Sequence, residues 1–195
     1  MFNVLAAGSA FLASLVMSAS AAPAPPPGGK TTVKVVSALG SGCPAGSGGA
    51  KALPGKGSFT VAFPDFTASS GGDALERRKN CQLLLDVRVP RGYTYAVSRV
   101  TVHGSGKLGP AGRADLTTQL YFQGHSETDG LRHEINGPLN GKWQRDDRIS
   151  PKARQFRPCG ENRYLAVNVS LMHGGSGGFV SADGRLGLEF ARKKC

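Results

Sequence analysis

The stretch CQLLLDVRVP, residues 81–90, decides the fold of this chain. Successive side chains of a β-strand point to opposite faces, so every second residue shares a face. One face of this stretch takes only a cysteine and apolar residues, which are Cys81, Leu83, Leu85, Val87 and Val89. The other face carries Gln82, Asp86 and Arg88. The alternation predicts a strand that packs one face on a hydrophobic core and places the cysteine against that core.

Short runs of branched and aromatic residues recur along the rest of the chain, separated by polar or glycine-rich turns. Such strand-like runs cover residues 32–38, 58–63, 93–103, 116–123, 163–172 and 185–195. Residues 73–79 could form one helical turn. Hairpin turns are indicated by three dipeptides that tolerate a positive φ, which are Asp129-Gly130, Asn140-Gly141 and Asp183-Gly184. These signals predict an all-β fold, an antiparallel β-sandwich or jelly roll of about eight strands.

The beginning of the chain has the pattern of a signal peptide. Residues 4–16 are apolar or small, and Ala19-Ser20-Ala21 supplies the small-x-small pattern that signal peptidase needs. We expect cleavage after Ala21 or Ala22. The apolar run is shorter than the roughly 20 residues that span a bilayer, so no membrane span is predicted. The domain organisation expected is a signal peptide over 1–22, a Pro/Gly-rich lead-in over 23–30 and a single secreted, extracellular β domain over 31–195.

The chain has four cysteines, which are Cys43, Cys81, Cys159 and Cys195. An even number of cysteines behind an export signal predicts two structural disulfides formed in an oxidising compartment. Four cysteines allow three pairings. Cys43 ends the first predicted strand and Cys195 ends the last, so a bridge between them would tie the termini together. We therefore expect Cys43–Cys195, with Cys81–Cys159 as the second bridge.

The surroundings of the cysteines and one further segment carry a family resemblance. In chain order they are Gly42-Cys43-Pro44-Ala45-Gly46, Arg78-Lys79-Asn80-Cys81-Gln82-Leu83, Tyr121-Phe122-Gln123-Gly124, Pro158-Cys159-Gly160 and Lys193-Lys194-Cys195. In this combination, and over essentially the whole mature chain, the sequence resembles the secreted domain-of-unknown-function family 4360 of bacteria and fungi. The resemblance implies a small secreted domain with conserved cysteines, and it implies no activity, substrate or catalytic residue.

The chain is strongly basic, with 24 Lys and Arg against 13 Asp and Glu and a formal net charge of +11. Outside the cell such an excess favours contact with polyanions, although net charge can also serve solubility alone. No specific nucleic-acid recognition is predicted. The expected function is that of a secreted, non-catalytic protein that binds an anionic extracellular polysaccharide, a cell-wall polymer or another surface partner.

Two basic groups could form such a contact. The first is Arg77-Arg78-Lys79 with Arg88 and Arg91. The second lies in a segment interpreted as a loop and comprises Arg145, Arg148, Lys152, Arg154, Arg157 and Trp143. Alternating cations and aromatic rings can hold a charged backbone and stack on a sugar or base. The structural alternatives are a solvated surface for the first group and a loop pinned by a buried Trp143 for the second.

Catalytic and metal-binding patterns do not stand out. The pair His125 and His133 could face each other across a hairpin, but two ligands fall short of the three or four that zinc requires. We therefore assign no catalytic residue, metal site or cofactor. The alternative function is an extracellular polysaccharide hydrolase whose carboxylates, with Asp86 and Glu189 as candidates, are not recognisable from their spacing.

One modification site is also predicted. Asn168-Val169-Ser170 is an acceptor sequence for an N-glycan if the host is eukaryotic. The strand alternation over 163–172 places Asn168 on the outward face, where an oligosaccharide can be attached.

Overall fold

The structure is a computed structural model, and it describes residues 29–44, 51–53, 58–63, 65–125 and 129–195. Within these residues the chain forms one short helix, α1 (Ala74–Arg77), and eleven strands. The strands are β1 (Thr32–Leu39), β2 (Lys51–Leu53), β3 (Ser58–Ala62), β4 (Thr67–Ser69), β5 (Arg78–Arg88), β6 (Tyr93–Leu108), β7 (Arg113–Phe122), β8 (Asp129–Asn136), β9 (Leu139–Arg148), β10 (Leu165–Gly174) and β11 (Gly178–Lys194). The predicted signal peptide, residues 1–22, lies outside the described residues.

The strands form two antiparallel sheets that pack face to face. Sheet A has the order β1-β5-β10-β7-β8, and sheet B has the order β2-β3-β11-β6-β9, with β4 also paired to β11. The inner faces of both sheets contribute to one buried hydrophobic cluster. The predicted all-β sandwich is therefore confirmed. Among the described residues, no helix is long and apolar enough to cross a bilayer.

The alternation that decided the fold is present in β5 and repeated in β10. The apolar face of the first stretch is buried throughout, at Cys81, Leu83, Leu85, Val87 and Val89. The matching residues of β10 are also buried, at Leu165, Val167, Val169 and Leu171. Because β5 and β10 are hydrogen-bonded neighbours, the two most regular patterns of the sequence build the centre of sheet A.

The three dipeptides predicted to form hairpin turns do not form them. Asp129-Gly130 begins β8, and Asn140-Gly141 lies within β9. Asp183-Gly184 lies within β11, at an irregularity in its pairing with β6. A Cβ at Gly184 would lie 2.6 Å from the carbonyl oxygen of His103. Glycine is needed at this position because β6 and β11 approach each other closely. The prediction interpreted this glycine as part of a turn.

The first part of the segment interpreted as a charged loop, residues 143–148, belongs to strand β9, whereas residues 149–157 lie outside the strands. Trp143 is 8% exposed and belongs to the core, and its indole Nε1 donates to the backbone carbonyl of Ser105 at 3.0 Å. Arg145 donates to the backbone carbonyl of Glu134 on β8. Asp147 accepts from His133 Nε2, also on β8, at 2.8 Å. The charged residues of this edge strand are held by polar partners across the sandwich, which apolar alternation cannot reveal.

Both disulfides form, but their pairing differs from the predicted one. The bridges are Cys43–Cys81 and Cys159–Cys195. β1 pairs with β5 so that Leu39 lies opposite Gln82, which brings the chain after β1 beside Cys81. The prediction assumed that the first and last strands meet. These strands lie in different sheets. Cys43, which follows β1, therefore bonds Cys81 of the adjacent strand β5, and Cys195, which follows β11, bonds Cys159.

Candidate functional site

The segment that follows β9 and the end of β11 enclose a surface pocket of about 380 Å³. We call it the cationic pocket, and its lining residues are Phe122, His125, Lys152, Ala153, Arg154, Gln155, Phe156 and Lys193. The Cys159–Cys195 bridge joins the two segments that form it. The fold thus brings together basic residues that lie far apart in the sequence.

Local contacts hold two of the three lysine and arginine side chains of the pocket in place. Lys193 Nζ lies 4.2 Å from the centroid of the Phe156 ring, a cation–π contact. Arg154 Nε donates to the backbone carbonyl of Ile149 at 3.1 Å, which fixes one edge of the guanidinium group. Lys152 is exposed. The pocket therefore presents one free ammonium group and two cations whose positions are constrained.

The positive charge of the cationic pocket is not neutralised within the described part of the chain. Its described lining includes no acidic residue. The ion pairs formed by described residues involve none of Lys152, Arg154 and Lys193. Unpaired cations around a concave surface attract anions, so an anionic group is the ligand class that this pocket fits.

The structure divides the second predicted basic group. Lys152 and Arg154 line the cationic pocket. Trp143 lies in the core and offers no ring for stacking, which corrects its assignment as a binding residue. The predicted alternative, a buried Trp143, is the arrangement found, although this residue stabilises a strand and not a loop.

Three further members of that group lie elsewhere. Arg145 donates to the backbone carbonyl of Glu134 on β8. Arg148 ends β9 directly opposite Arg99 of β6. The Arg157 guanidinium lies 5.1 Å from the centroid of the buried Tyr95 ring, and the backbone N–H of Arg157 donates to the carbonyl of Tyr95. Burial raises the pKa of Tyr95, so its ring contact with Arg157 is that of a neutral phenol and contributes to packing.

The first predicted basic group is partly neutralised by its own neighbours. Lys79 pairs with Glu76 at 3.0 Å and Arg88 pairs with Asp86 at 2.8 Å. Arg77 donates to the backbone carbonyl of Ser70. Two of the five cations in this group are therefore ion-paired, whereas among the described residues none of the three pocket cations is.

The sequence analysis missed Lys193 of the pocket, and it considered His125 only as a metal ligand. His125 follows β7, and Lys193 lies near the end of β11. The Cys159–Cys195 pairing is the signal that could have found Lys193, because it brings the end of the chain to the segment that contains Lys152 and Arg154. The expected Cys43–Cys195 bridge pointed away from this site.

The two carboxylates considered for a hydrolase are not brought together. Asp86 lies on the outward face of sheet A, between the buried Leu85 and Val87, and Glu189 lies on the outward face of sheet B, next to the buried Leu188. Glu189 pairs with Arg99 at 3.0 Å, and Arg99 also bonds Asp146 at 2.5 Å. The hydrogen bond from Arg99 lowers the pKa of Asp146. These contacts make Glu189 and Asp146 partners of one arginine.

The two histidines considered for a metal site have different surroundings. His133 bonds Asp147, whereas His125 lines the cationic pocket. Among the described residues, no group of three or more His, Cys, Asp or Glu side chains could hold a metal ion.

The fold and the pocket together define a disulfide-bonded β-sandwich with a cationic surface site. The chain belongs to the family described as domain of unknown function DUF4360, whose model matches residues 29–193. The family resemblance seen in the sequence is thereby confirmed. A protein of Arthroderma benhamiae described as an uncharacterized secreted protein is 27% identical over 134 residues, which cover 68% of this chain and 55% of that protein. This chain thus spans about half the length of that relative.

Several solved structures show a weak similarity. The carbohydrate-binding module TmCBM61 in complex with β-1,4-galactotriose has 15% identity and a TM-score of 0.32, covering 85% of this chain and 88% of that chain. The family 11 carbohydrate-binding module of Clostridium thermocellum, in complex with a mixed-linked tetrasaccharide, has 13% identity and a TM-score of 0.29, covering 82% and 88%. At these scores the similarities carry no argument about this chain.

Proposed function

We propose that this protein is a secreted, non-catalytic binding module that holds anionic extracellular polymers at its cationic pocket. One observation carries the proposal: Lys152, Arg154 and Lys193 come from two separate segments and meet around one concave surface that has no acidic residue in its described lining. Secretion is supported by the two disulfides and by the secreted relative. A signal peptide followed by a single β domain is part of this proposal.

The ligand class follows from the chemistry of the pocket. Ammonium and guanidinium groups only donate hydrogen bonds, so they suit sulfate, phosphate and carboxylate oxygens. Phe156 is held by Lys193 from one side, and it adds apolar surface beside the charges. Attraction of this kind releases counterions from the polymer, and affinity therefore falls as the salt concentration rises.

The test is a salt titration of binding to heparin and to polygalacturonate, with the mature oxidised chain. A variant with Lys152→Ser and Lys193→Ser removes two cations from the pocket. We expect the slope of log affinity against log salt to fall by about 1–2, since each neutralised charge contributes about 0.7–0.9. The matched control is Lys107→Ser with Lys142→Ser, which removes the same charge at two exposed positions outside the pocket.

The outcomes separate a pocket from a general surface charge. Equal changes of slope in the two double variants would show that net charge alone attracts the polymer. Binding that persists unchanged at high salt, or no binding at low salt, would contradict the electrostatic account.

A further inference from the structure

The outward face of sheet A carries a row of uncharged polar side chains across three adjacent strands. Gln82 of β5 lies opposite Asn168 of β10, and Asn168 lies opposite Gln119 of β7. The neighbouring row on β10 and β7 is Ser170 opposite Thr117. We call these five residues and Tyr121 the amide face. The residues of this face are uncharged in a chain that has a net charge of +11.

Tyr121 gives the amide face an anchored aromatic ring. Tyr121 of β7 lies opposite Ala166 of β10, and Ala166 lies opposite Leu84 of β5. The Tyr121 hydroxyl accepts a hydrogen bond from Gln82 Nε2 at 2.8 Å. Since Gln82 is on β5, the Tyr121 side chain must extend across β10, above the small Ala166, which is 2% exposed. The ring is thus laid along the sheet surface and held at its end.

The amide face also keeps unused hydrogen-bonding capacity. Asn168 Nδ2 donates to Gln119 Oε1 at 3.5 Å, and Gln82 Nε2 is taken by Tyr121. No described residue bonds Gln82 Oε1 or Gln119 Nε2, and both glutamines are exposed. The Gln82 Oε1 acceptor on one side of Asn168 and the Gln119 Nε2 donor on the other are therefore open to a ligand.

Two acidic residues at the margins of the amide face are paired with arginines. Asp115 and Arg132 bond each other at 2.9 Å, and Asp86 and Arg88 at 2.8 Å. Tyr164 precedes Ala166 by two residues and is 39% exposed, so a second aromatic side chain lies beside the anchored one. The face therefore combines aromatic rings with amides and hydroxyls, and none of the six residues that define it carries a charge.

We propose that the amide face is a second binding site, specific for neutral polysaccharide chains. The apolar C–H face of a pyranose ring packs on an aromatic ring, and its hydroxyls both donate and accept hydrogen bonds, as amides do. A few placed polar groups beside an aromatic surface are what gives such a site its orientation and specificity. The site does not depend on the function proposed for the cationic pocket, since no residue of the amide face lines that pocket.

The test uses the mature oxidised chain with soluble neutral β-glucan, galactan and mannan, in about 0.5 M NaCl so that ionic attraction is screened. We expect binding to at least one polymer. Tyr121→Ala should lower the affinity by about tenfold or more, as loss of a central aromatic contact does. Tyr121→Phe keeps the ring and loses only its anchor, so its loss should be smaller. Gln119→Ala should lower the affinity a few-fold, by removing the open donor.

The matched control is Gln144→Ala, which removes an exposed amide from β9 in sheet B and should leave the affinity unchanged. Thermal unfolding of each variant checks that it is folded. The proposal is overturned if no neutral polymer binds, if Tyr121→Ala binds as wild type does, or if Gln144→Ala loses as much affinity. An intact mass that shows a glycan on Asn168 would also overturn it, because the protein's own oligosaccharide would cover the face.

The two proposals fail separately. The Lys152→Ser, Lys193→Ser variant should keep its affinity for the neutral polymer, and Tyr121→Ala should keep its salt-dependent affinity for heparin. Loss of both activities in either variant would show that the two sites are not independent.

Discussion

His173 is a buried imidazole, 3% exposed, on the inward side of β10. Burial lowers its pKa below the ordinary value, and the positive charge of Arg77 lowers it further. In the unfolded chain a histidine has a pKa of about 6.5. The folded protein therefore binds fewer protons than the unfolded chain in mildly acidic solution, and stability falls as the pH drops through 6.5 towards the folded pKa.

Replacing His173 with leucine should reduce this dependence on pH. We expect wild type to lose more stability than His173→Leu between about pH 7.5 and about pH 5, measured as the free energy of unfolding in urea. His125→Gln removes an exposed histidine and should behave as wild type does. An equal loss in His173→Leu and wild type would show that other groups cause the acid sensitivity.

Gly104 tests how closely the core is packed around Trp143. A Cβ at this position would collide with the carbonyl oxygen of Ser181 and with the indole ring of Trp143. Gly104→Ala should therefore lower the free energy of unfolding by about 1–3 kcal/mol, the usual cost of overpacking. At Gly130 nothing lies within 4 Å of an added Cβ, so Gly130→Ala is the control. Similar thermal midpoints for the two variants would contradict this packing.

At the scale of elements, predictability depends on what holds a strand in place. β5 is fixed by apolar burial on one face, so alternation alone located it and its inward residues. β9 is an edge strand whose arginine and aspartate side chains bond β8 across the sandwich. Those partners lie 11 and 14 residues earlier in the chain and are polar, so the charged run showed no apolar alternation and looked like a loop. Lys152 and Arg154 were found because they lie in that run, whereas Lys193 required the topology.

The two disulfides should have different effects on binding. They span similar sequence separations, 38 residues for Cys43–Cys81 and 36 for Cys159–Cys195. Removing either should cost stability of about 4 kcal/mol in the chain-entropy model. Only the Cys159→Ala, Cys195→Ala variant should also lose heparin affinity, because that bridge holds Lys193 beside the segment with Lys152.

The comparison is made at a temperature where both double variants are folded, as judged by circular dichroism. The Cys43→Ala, Cys81→Ala variant then serves as the control for general destabilisation. Equal heparin affinities in the two variants would show that the cationic pocket forms without its bridge.

At the scale of the whole molecule, the sequence revealed which residues face inward but not which strands meet. The strands expected over 32–38 and 185–195 are present within β1 and β11, yet β1 and β11 belong to different sheets. Pairing between strands that are distant in sequence is decided by the packing of all strands together, and local periodicity does not predict it. The wrong disulfide pairing and the missed pocket residues share this cause.

Export and oxidation together give a prediction for the whole chain. Each described cysteine is in a disulfide, and stable disulfides form in oxidising compartments. When the full sequence is expressed in a secreting host, we expect a product in the medium that begins at Ala22 or Pro23 and has no free thiol.

N-terminal sequencing and thiol titration under denaturing conditions check the two parts. A product in the medium that begins at Met1 would contradict the leader, whereas free thiols in a correctly processed product would contradict the role of the bridges. The same chain made without residues 1–22 in a reducing cytosol should contain free thiols and unfold at a lower temperature, because it lacks both cross-links.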